Sequence, residues 1–256
     1  MITASNITIG YRKGKQLRTV QTALNLKAVK GELIAILGPN GCGKSTLLRS
    51  LGGLQPVLAG TVSVAGQPLS TLTPAARATR LSLVLTDPVH VNYMTVRALV
   101  AMGRHPYTTV TGRMSLADHQ AVDKALRAVR MEAFADRYLQ ELSDGERQRV
   151  MIAKALAQDT PIILLDEPTS HLDLPNRVET MLLLKQLVSE TAKTILLSTH
   201  EIDLALHLAD RIWLMKPDGG VEEGTPASLM AQGLIQSVFK SDGFGFEAET
   251  GRVIIF

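Results

Sequence analysis

The chain has 256 residues, 45% of them hydrophobic, which excludes a disordered chain and suits one α/β domain carrying an insertion. A net charge of +3 comes without any Lys/Arg block of the kind that marks a nucleic-acid arm or a polybasic membrane anchor, so no nucleic-acid partner is expected. Cys42 is the only cysteine, Met1 to Tyr11 lacks the basic-then-apolar order of a leader, and apolar runs such as Leu33 to Leu37 fall far short of the roughly 18 residues that cross a bilayer. A reducing cytoplasm is the expected setting, with any membrane role peripheral.

Short β-rich runs come first, at Ile2 to Ile9, Thr22 to Leu26 and Leu33 to Leu37. The third leads directly into a glycine-rich turn and then the helical pattern Ser45 to Leu51. Thr61 to Val64 and Leu81 to Leu85 predict further strands. Val96 to Met102 and Leu116 to Val129 then show helical spacing with no strand between them, so Asp87 to about Leu142 reads as a helical insertion. Beyond it, helix Glu146 to Ala157, strand Ile162 to Leu165, helix Val178 to Ser189, strand Thr194 to Leu197 and helix Ile202 to Leu208 alternate as a parallel sheet requires. Ile212 to Met215 predicts one more strand and Pro226 to Gln232 a short helix, before a tail ending in Arg252 to Phe256. No internal repeat is present, so a single unit is expected and not a fused pair.

Two segments carry chemistry. Gly38-Pro39-Asn40-Gly41-Cys42-Gly43-Lys44-Ser45 fits G-x-x-x-x-G-K-[ST], in which glycines let backbone N–H groups wrap phosphate oxygens at the positive end of a helix. Lys44 would reach the β- and γ-phosphates of ATP and Ser45 would offer a hydroxyl to Mg²⁺, with Thr46 next in the same helix. Ile162 to Leu165 followed by Asp166-Glu167 predicts a buried strand with two acids at its carboxyl end, where open α/β sheets hold ligands. Asp166 would hold the Mg²⁺ shell, and Glu167 would act on the attacking water as base or orienter.

Leu142-Ser143-Asp144-Gly145-Glu146 resembles the signature of the ABC ATPases, usually written L-S-G-G-Q, and lies one helix upstream of the Asp166 strand as in that family. Asp144 stands for the first Gly and Glu146 for Gln. Ser143-x-x-Glu146 is also a capping box, and a capped helix start points its positive end outward, so both readings can hold. The resemblance implies a P-loop NTPase (RecA-like) core with a mostly parallel sheet, an antiparallel β subdomain and a helical insertion. Residues 1–86 and about 158–232 would form the core, about 87–157 the helical subdomain with the signature, and about 233–256 a tail.

Further roles follow from the same resemblance. Tyr11 lies where the family stacks an aromatic ring on adenine, Ser170-His171-Leu172-Asp173 matches the D-loop that crosses the dimer interface, and His200 matches the switch histidine that contacts the γ-phosphate. Asp173 alternatively caps the helix after Pro175. The family's Gln at the end of the strand entering the insertion is replaced by Leu85-Thr86-Asp87, with Thr86 the best positional match as a modified Mg²⁺ and γ-phosphate sensor. Ser143, Gly145 and Glu146 would close over nucleotide held by a second copy, which implies a homodimer with two composite sites.

Gly103-Arg104-His105-Pro106-Tyr107, after the Val96 helix, looks like the ATPases of importers for iron-siderophore complexes, haem and cobalamin. Val89, Val91, Tyr93, Met94 and Tyr107 flank the junction where that family docks its membrane permease subunits, and an external substrate-binding protein would act indirectly. The expected location is cytoplasmic, peripheral on the inner face of the cell membrane. The competing readings are an exporter subunit, and a soluble ABC ATPase of DNA repair or translation; the latter usually carries long coiled-coil insertions, zinc-binding cysteines or two fused units.

Overall fold

The structure is a computed structural model that describes residues 1–14, 16–86, 93–108, 112–239, 244–246 and 253–255. The chain opens with a long antiparallel hairpin, β1 (Ile2–Lys13) and β2 (Gln16–Ala28), which joins β4 (Ala59–Val64) and β5 (Gln67–Pro68) in a sheet of order β2-β1-β4-β5. Both hairpin strands outrun their apolar stretches. The ladder continues through Tyr11↔Arg18 and Arg12↔Leu17, because main-chain pairing does not require buried side chains.

Between these strands lie β3 (Leu33–Leu37) and α1 (Lys44–Leu51), and after them α2 (Pro74–Ala78) and β6 (Leu81–Val84). The insertion follows as α3 (Val96–Ala101), a 3-10 turn over Met102–Tyr107, α4 (Leu116–Ala128) and α5 (Asp144–Ala157). Then come β7 (Ile162–Asp166), α6 (Leu174–Thr191), β8 (Thr194–Ser198), α7 (Ile202–Leu208), β9 (Arg211–Met215), β10 (Val221–Gly224), α8 (Pro226–Ala231) and α9 (Leu234–Phe239). A two-stranded pair, β11 (Phe244–Phe246) with β12 (Val253–Ile255), lies in the tail.

The second sheet has the order β10-β9-β3-β8-β7-β6, parallel throughout except for β10 at one edge. Every residue of β3, β7 and β8 is buried, as expected of strands covered on both faces. The carboxyl ends of β3 and β7 therefore deliver the glycine loop and the Asp-Glu pair to the same edge. α6 begins at Leu174, four residues ahead of its apolar periodicity, because Asp173 caps it: Asn176 N donates to Asp173 Oδ1 at 3.1 Å, with Pro175 in the first turn.

The insertion packs through an apolar core of Val96, Leu99, Val122, Leu126, Val150 and Ile152 and carries a buried ion pair beside it. Arg104 Nε donates to Asp118 Oδ1 at 2.9 Å, Arg104 Nη1 donates to the Ala157 carbonyl at 2.8 Å, and the guanidinium lies 4.0 Å from the centre of the Tyr107 ring. One side chain thus ties the 3-10 turn to α4 and to the end of α5. Gly103 allows this approach, since a Cβ there would stand 2.3 Å from Lys154 O. Among the described residues no helix is long and apolar enough to cross a membrane.

Candidate active site

The loop from Gly38 to Ser45 is shaped by contact with its surroundings. A Cβ on Gly38 would lie 2.7 Å from Met215 O, and one on Gly43 2.5 Å from Val20 Cγ1. Gly43 also has φ of 106°, in the region that L side chains rarely adopt, as it turns the chain into α1. The first amides of α1 have no acceptor within the helix and carry its positive end, which makes the mouth of the loop an anion site. Lys44 Nζ donates to Gly38 O at 2.8 Å and Pro39 O at 3.2 Å, and burial lowers the pKa of its ammonium. Cys42 is buried beneath the loop, and that burial raises its thiol pKa.

Outside the loop is an open cavity of about 500 Å³, lined by Asn40, Gly41, Lys44, Ser45, Glu167 and His200, with Tyr11 at its rim. Tyr11 is half exposed and its hydroxyl lies 2.8 Å from Thr46 Oγ1, so the ring is anchored at one end while a face stays open. Residues 121 apart in sequence meet here: Ser45 Oγ donates to Asp166 Oδ1 at 2.8 Å.

Asp166 is almost wholly buried. Its Oδ1 also accepts from Ser198 Oγ at 2.7 Å, whereas Oδ2 is buried with no partner among the described residues. An orphaned carboxylate oxygen in a dry site is costly unless something positive occupies it. Beside a serine hydroxyl, this donor set suits a hard divalent cation such as Mg²⁺. Among the described residues no three His, Cys, Asp or Glu side chains gather as a metal cage. A Mg²⁺ ion here would instead draw most of its oxygens from phosphate and water, which is how that ion is usually held.

Glu167 follows with φ of 49°, a left-handed backbone that is uncommon for this residue type. Its amide is fixed by Ser198 Oγ at 2.9 Å, and its Oε1 lies 2.6 Å from His200 Nε2. A histidine carrying a proton on Nε2 would donate to the carboxylate here, and the contact places both side chains on the wall of the same cavity. Thr86, just past β6, donates its hydroxyl proton to the Asp166 carbonyl at 2.9 Å, so the side chain is tied to the backbone of β7 rather than to the carboxylate.

Ser143, Gly145 and Glu146 do not line this cavity, although Asp144 lines an adjoining cleft with Thr86, Asp166 and Glu167. Ser143 and Glu146 form the reciprocal capping box: Ser143 N donates to Glu146 Oε2 at 2.8 Å and Glu146 N to Ser143 Oγ at 3.4 Å. The Ser143 amide, and then the Ser143 hydroxyl, which also donates to Glu146 Oε2 at 2.8 Å, hold the Glu146 carboxyl below its ordinary value. Asp144 is exposed and pairs with Arg147 Nη1 at 3.1 Å, which offsets its charge at the helix start. A Cβ on Gly145 would lie 2.5 Å from Asn176 Oδ1, and Asn176 Nδ2 is itself bonded to Asp173 Oδ1 at 2.6 Å. Signature and D-loop are therefore packed together within one chain.

Sequence reasoning passed over two groups. Ser198, beyond the apolar run Thr194 to Leu197, pairs in register with Asp166 and holds both acids; a hydroxyl closing a buried strand was the available signal. Arg177 donates from Nε to Leu172 O at 2.6 Å and from Nη1 to Glu201 Oε1 at 2.9 Å, joining the D-loop to the residue after His200. Its spacing on α6 offered no signal. Asp87, Val89 and Val91 lie outside the described residues.

A glycine-rich loop between a buried strand and a helix, facing an Asp-Glu strand end on a parallel sheet, defines a P-loop nucleotide hydrolase. The comparisons narrow this class. Residues 22–170 match the family described as ABC transporter. A Bacillus subtilis (strain 168) protein named as the ATP-binding protein of a siderophore transport system is 37% identical over 238 residues, 93% of this chain and 85% of that one. Among solved structures, a dimeric ATP-binding cassette in a post-hydrolysis state with ADP and Pi is 31% identical with TM-score 0.75, covering 88% of this chain and 99% of that one. A transporter assigned to the metal-chelate type, in an inward-facing conformation, is 26% identical with TM-score 0.81, covering 100% and 96%. The chain belongs to the ABC transporter family and is one of its ATP-hydrolysing subunits, allied in sequence to importers.

Proposed function

We propose that two copies of this chain, working beneath separate permease subunits on the inner face of the cell membrane, drive uptake of a metal chelate or corrinoid: an iron-siderophore, haem or cobalamin. An external binding protein would deliver the cargo. The observation that carries the importer reading is the pair of likenesses to a siderophore-system ATPase and to a metal-chelate transporter, each spanning most of the chain. The insertion supports a docking role, because Arg104 is rooted in Asp118 while Tyr93 (79% exposed), Met102 and Tyr107 stay open on its surface.

In this reading Tyr11 stacks on adenine, residues 38–46 cradle the phosphates, and Lys44 leaves its loop carbonyls for phosphate oxygens. Ser45 and Asp166 would hold Mg²⁺, which would supply charge neutralisation at the phosphates. Glu167 accepts a hydrogen bond from the attacking water, and His200 keeps Glu167 oriented. Ser143, Gly145, Glu146 and Asp173 serve the nucleotide of the opposite copy. That assignment is supported by their absence from the lining of the Lys44 cavity of their own chain and by the dimeric likeness. Nucleotide can shift a transporter between states only by binding one state more tightly, and shared sites provide that difference.

The test is Tyr93→Asp in a reconstituted complex. The isolated variant should hydrolyse ATP at close to the native rate, while permease binding and uptake of a ferric chelate or corrinoid are lost. Unimpaired uptake would remove the insertion from the interface. Tight binding of DNA or ribosomes at physiological salt, with no permease co-purifying, would overturn the importer reading.

A further inference from the structure

A phosphate cradle depends on which way its peptide planes face. A trans peptide sets each carbonyl opposite the next residue's N–H, so an amide points into the cavity only when the preceding carbonyl points away from it, and a donor on that carbonyl fixes the plane. In this loop the carbonyls of Gly38 and Pro39 are taken by Lys44 and that of Gly43 by Leu47 N at 2.8 Å. The Cys42 carbonyl, whose plane carries the Gly43 amide, is taken by Gln21 Nε2 at 3.1 Å.

Gln21 lies on β2 and is only 2% exposed. Its Nε2 donates a second bond to Lys216 O at 3.0 Å, and its Oε1 accepts from Gly220 N at 2.7 Å, both in the turn joining β9 to β10. Only a neutral primary amide combines two donors with an acceptor at this site. Glutamate would set lone pairs against two carbonyls, and an apolar side chain would leave the Cys42 carbonyl and the Gly220 amide without this partner, while Lys216 O would keep its bond from Gly219 N at 3.3 Å.

We infer that Gln21 is a positioning residue for nucleotide binding: by fixing the Cys42–Gly43 peptide it aims the Gly43 amide into the cradle, and it couples that plane to the β9–β10 turn. This rests on the reading of residues 38–45 as the phosphate loop. It acts through the backbone and touches no reacting atom.

The experiment compares the native chain with Gln21→Met, which keeps length and bulk without donors, with Gln21→Glu, and with Lys44→Ala. Equilibrium binding of ATP and of adenosine is measured for each, beside thermal melting. Both Gln21 variants should bind ATP about five- to tenfold more weakly, the scale of one or two lost hydrogen bonds, while adenosine affinity holds. Lowered melting with unchanged ATP affinity in folded Gln21→Met would reduce Gln21 to a structural residue and overturn the inference. Lys44→Ala with undiminished ATP binding would instead sink the loop assignment itself. In the native chain, ATP should slow hydrogen exchange at the Gly220 amide; an unchanged rate there counts against the coupling without relying on any variant.

Discussion

The sheet edge and the helical insertion place their important side chains by different means. At the edge, main chain does the work: β3, β7 and β8 are fully buried, so their carboxyl ends, and the residues that follow, have little freedom. In the insertion α3, α4 and α5 share an apolar core, and a polar side chain, Arg104, adds bonds from the 3-10 turn to α4 and α5 through one carboxylate and one carbonyl. The first arrangement spreads its demands over buried strands and over close contacts such as those at Gly38 and Gly43. The second adds a buried ion pair to apolar packing.

Four changes break or sharpen that contrast, in descending order of effect. Glu167→Gln at the sheet edge should cut ATP turnover by roughly 10²–10⁴-fold while leaving fold and ATP affinity intact, since it removes a proton acceptor and keeps the shape. Phosphate release and equilibrium ATP binding check it, and turnover at the native rate would remove Glu167 from its role. Gly103→Ala in the insertion should do the reverse. Its methyl would meet Lys154 O, so denaturant unfolding should show a loss of about 1–3 kcal/mol with little effect on the chemistry of surviving protein.

The third change is one of pH. Bonds from Ser115, and then Arg104, hold the Asp118 carboxyl down at about 2, below its ordinary 3.8. Its stabilising contribution is therefore complete above the ordinary value and is lost as pH falls from about 4 through 2. Asp118→Asn should flatten that limb of the stability curve, and an unaltered acid limb would show that other carboxylates govern it. The smallest effect is expected from Thr86→Gln. It replaces a hydroxyl tied to β7 with a longer amide, so ATP affinity should stay within about fourfold while permease-stimulated hydrolysis changes, coupling being a difference between states.

The same contrast explains what was legible beforehand. Uniform apolar runs ending in Gly38 or Asp166 announce buried parallel strands and their sites, because the pattern and the position are one fact. Gln21 and Ser198 carry no such pattern; their importance comes from contacts with Cys42 and Asp166 that only the folded sheet creates. Likewise, Gly103-Arg104 drew attention as a family-like segment, yet its local necessity lies in Lys154, Ala157 and Asp118, far along the chain. The starts of α6 and of the β1–β2 hairpin's outer half were missed for a simpler reason: caps and ladders extend elements beyond their apolar residues.

The packing of Gly145 on Asn176, with Asn176 held by Asp173, has a genetic consequence in the proposed dimer. Each chain would lend this whole lip to its neighbour's nucleotide and keep its own phosphate loop for itself. Lys44→Ala and Gly145→Ala, each inactive as a homodimer, should then complement one another when coexpressed. In a mixed pair both lesions fall on the same composite site, and the other site is assembled entirely from native parts.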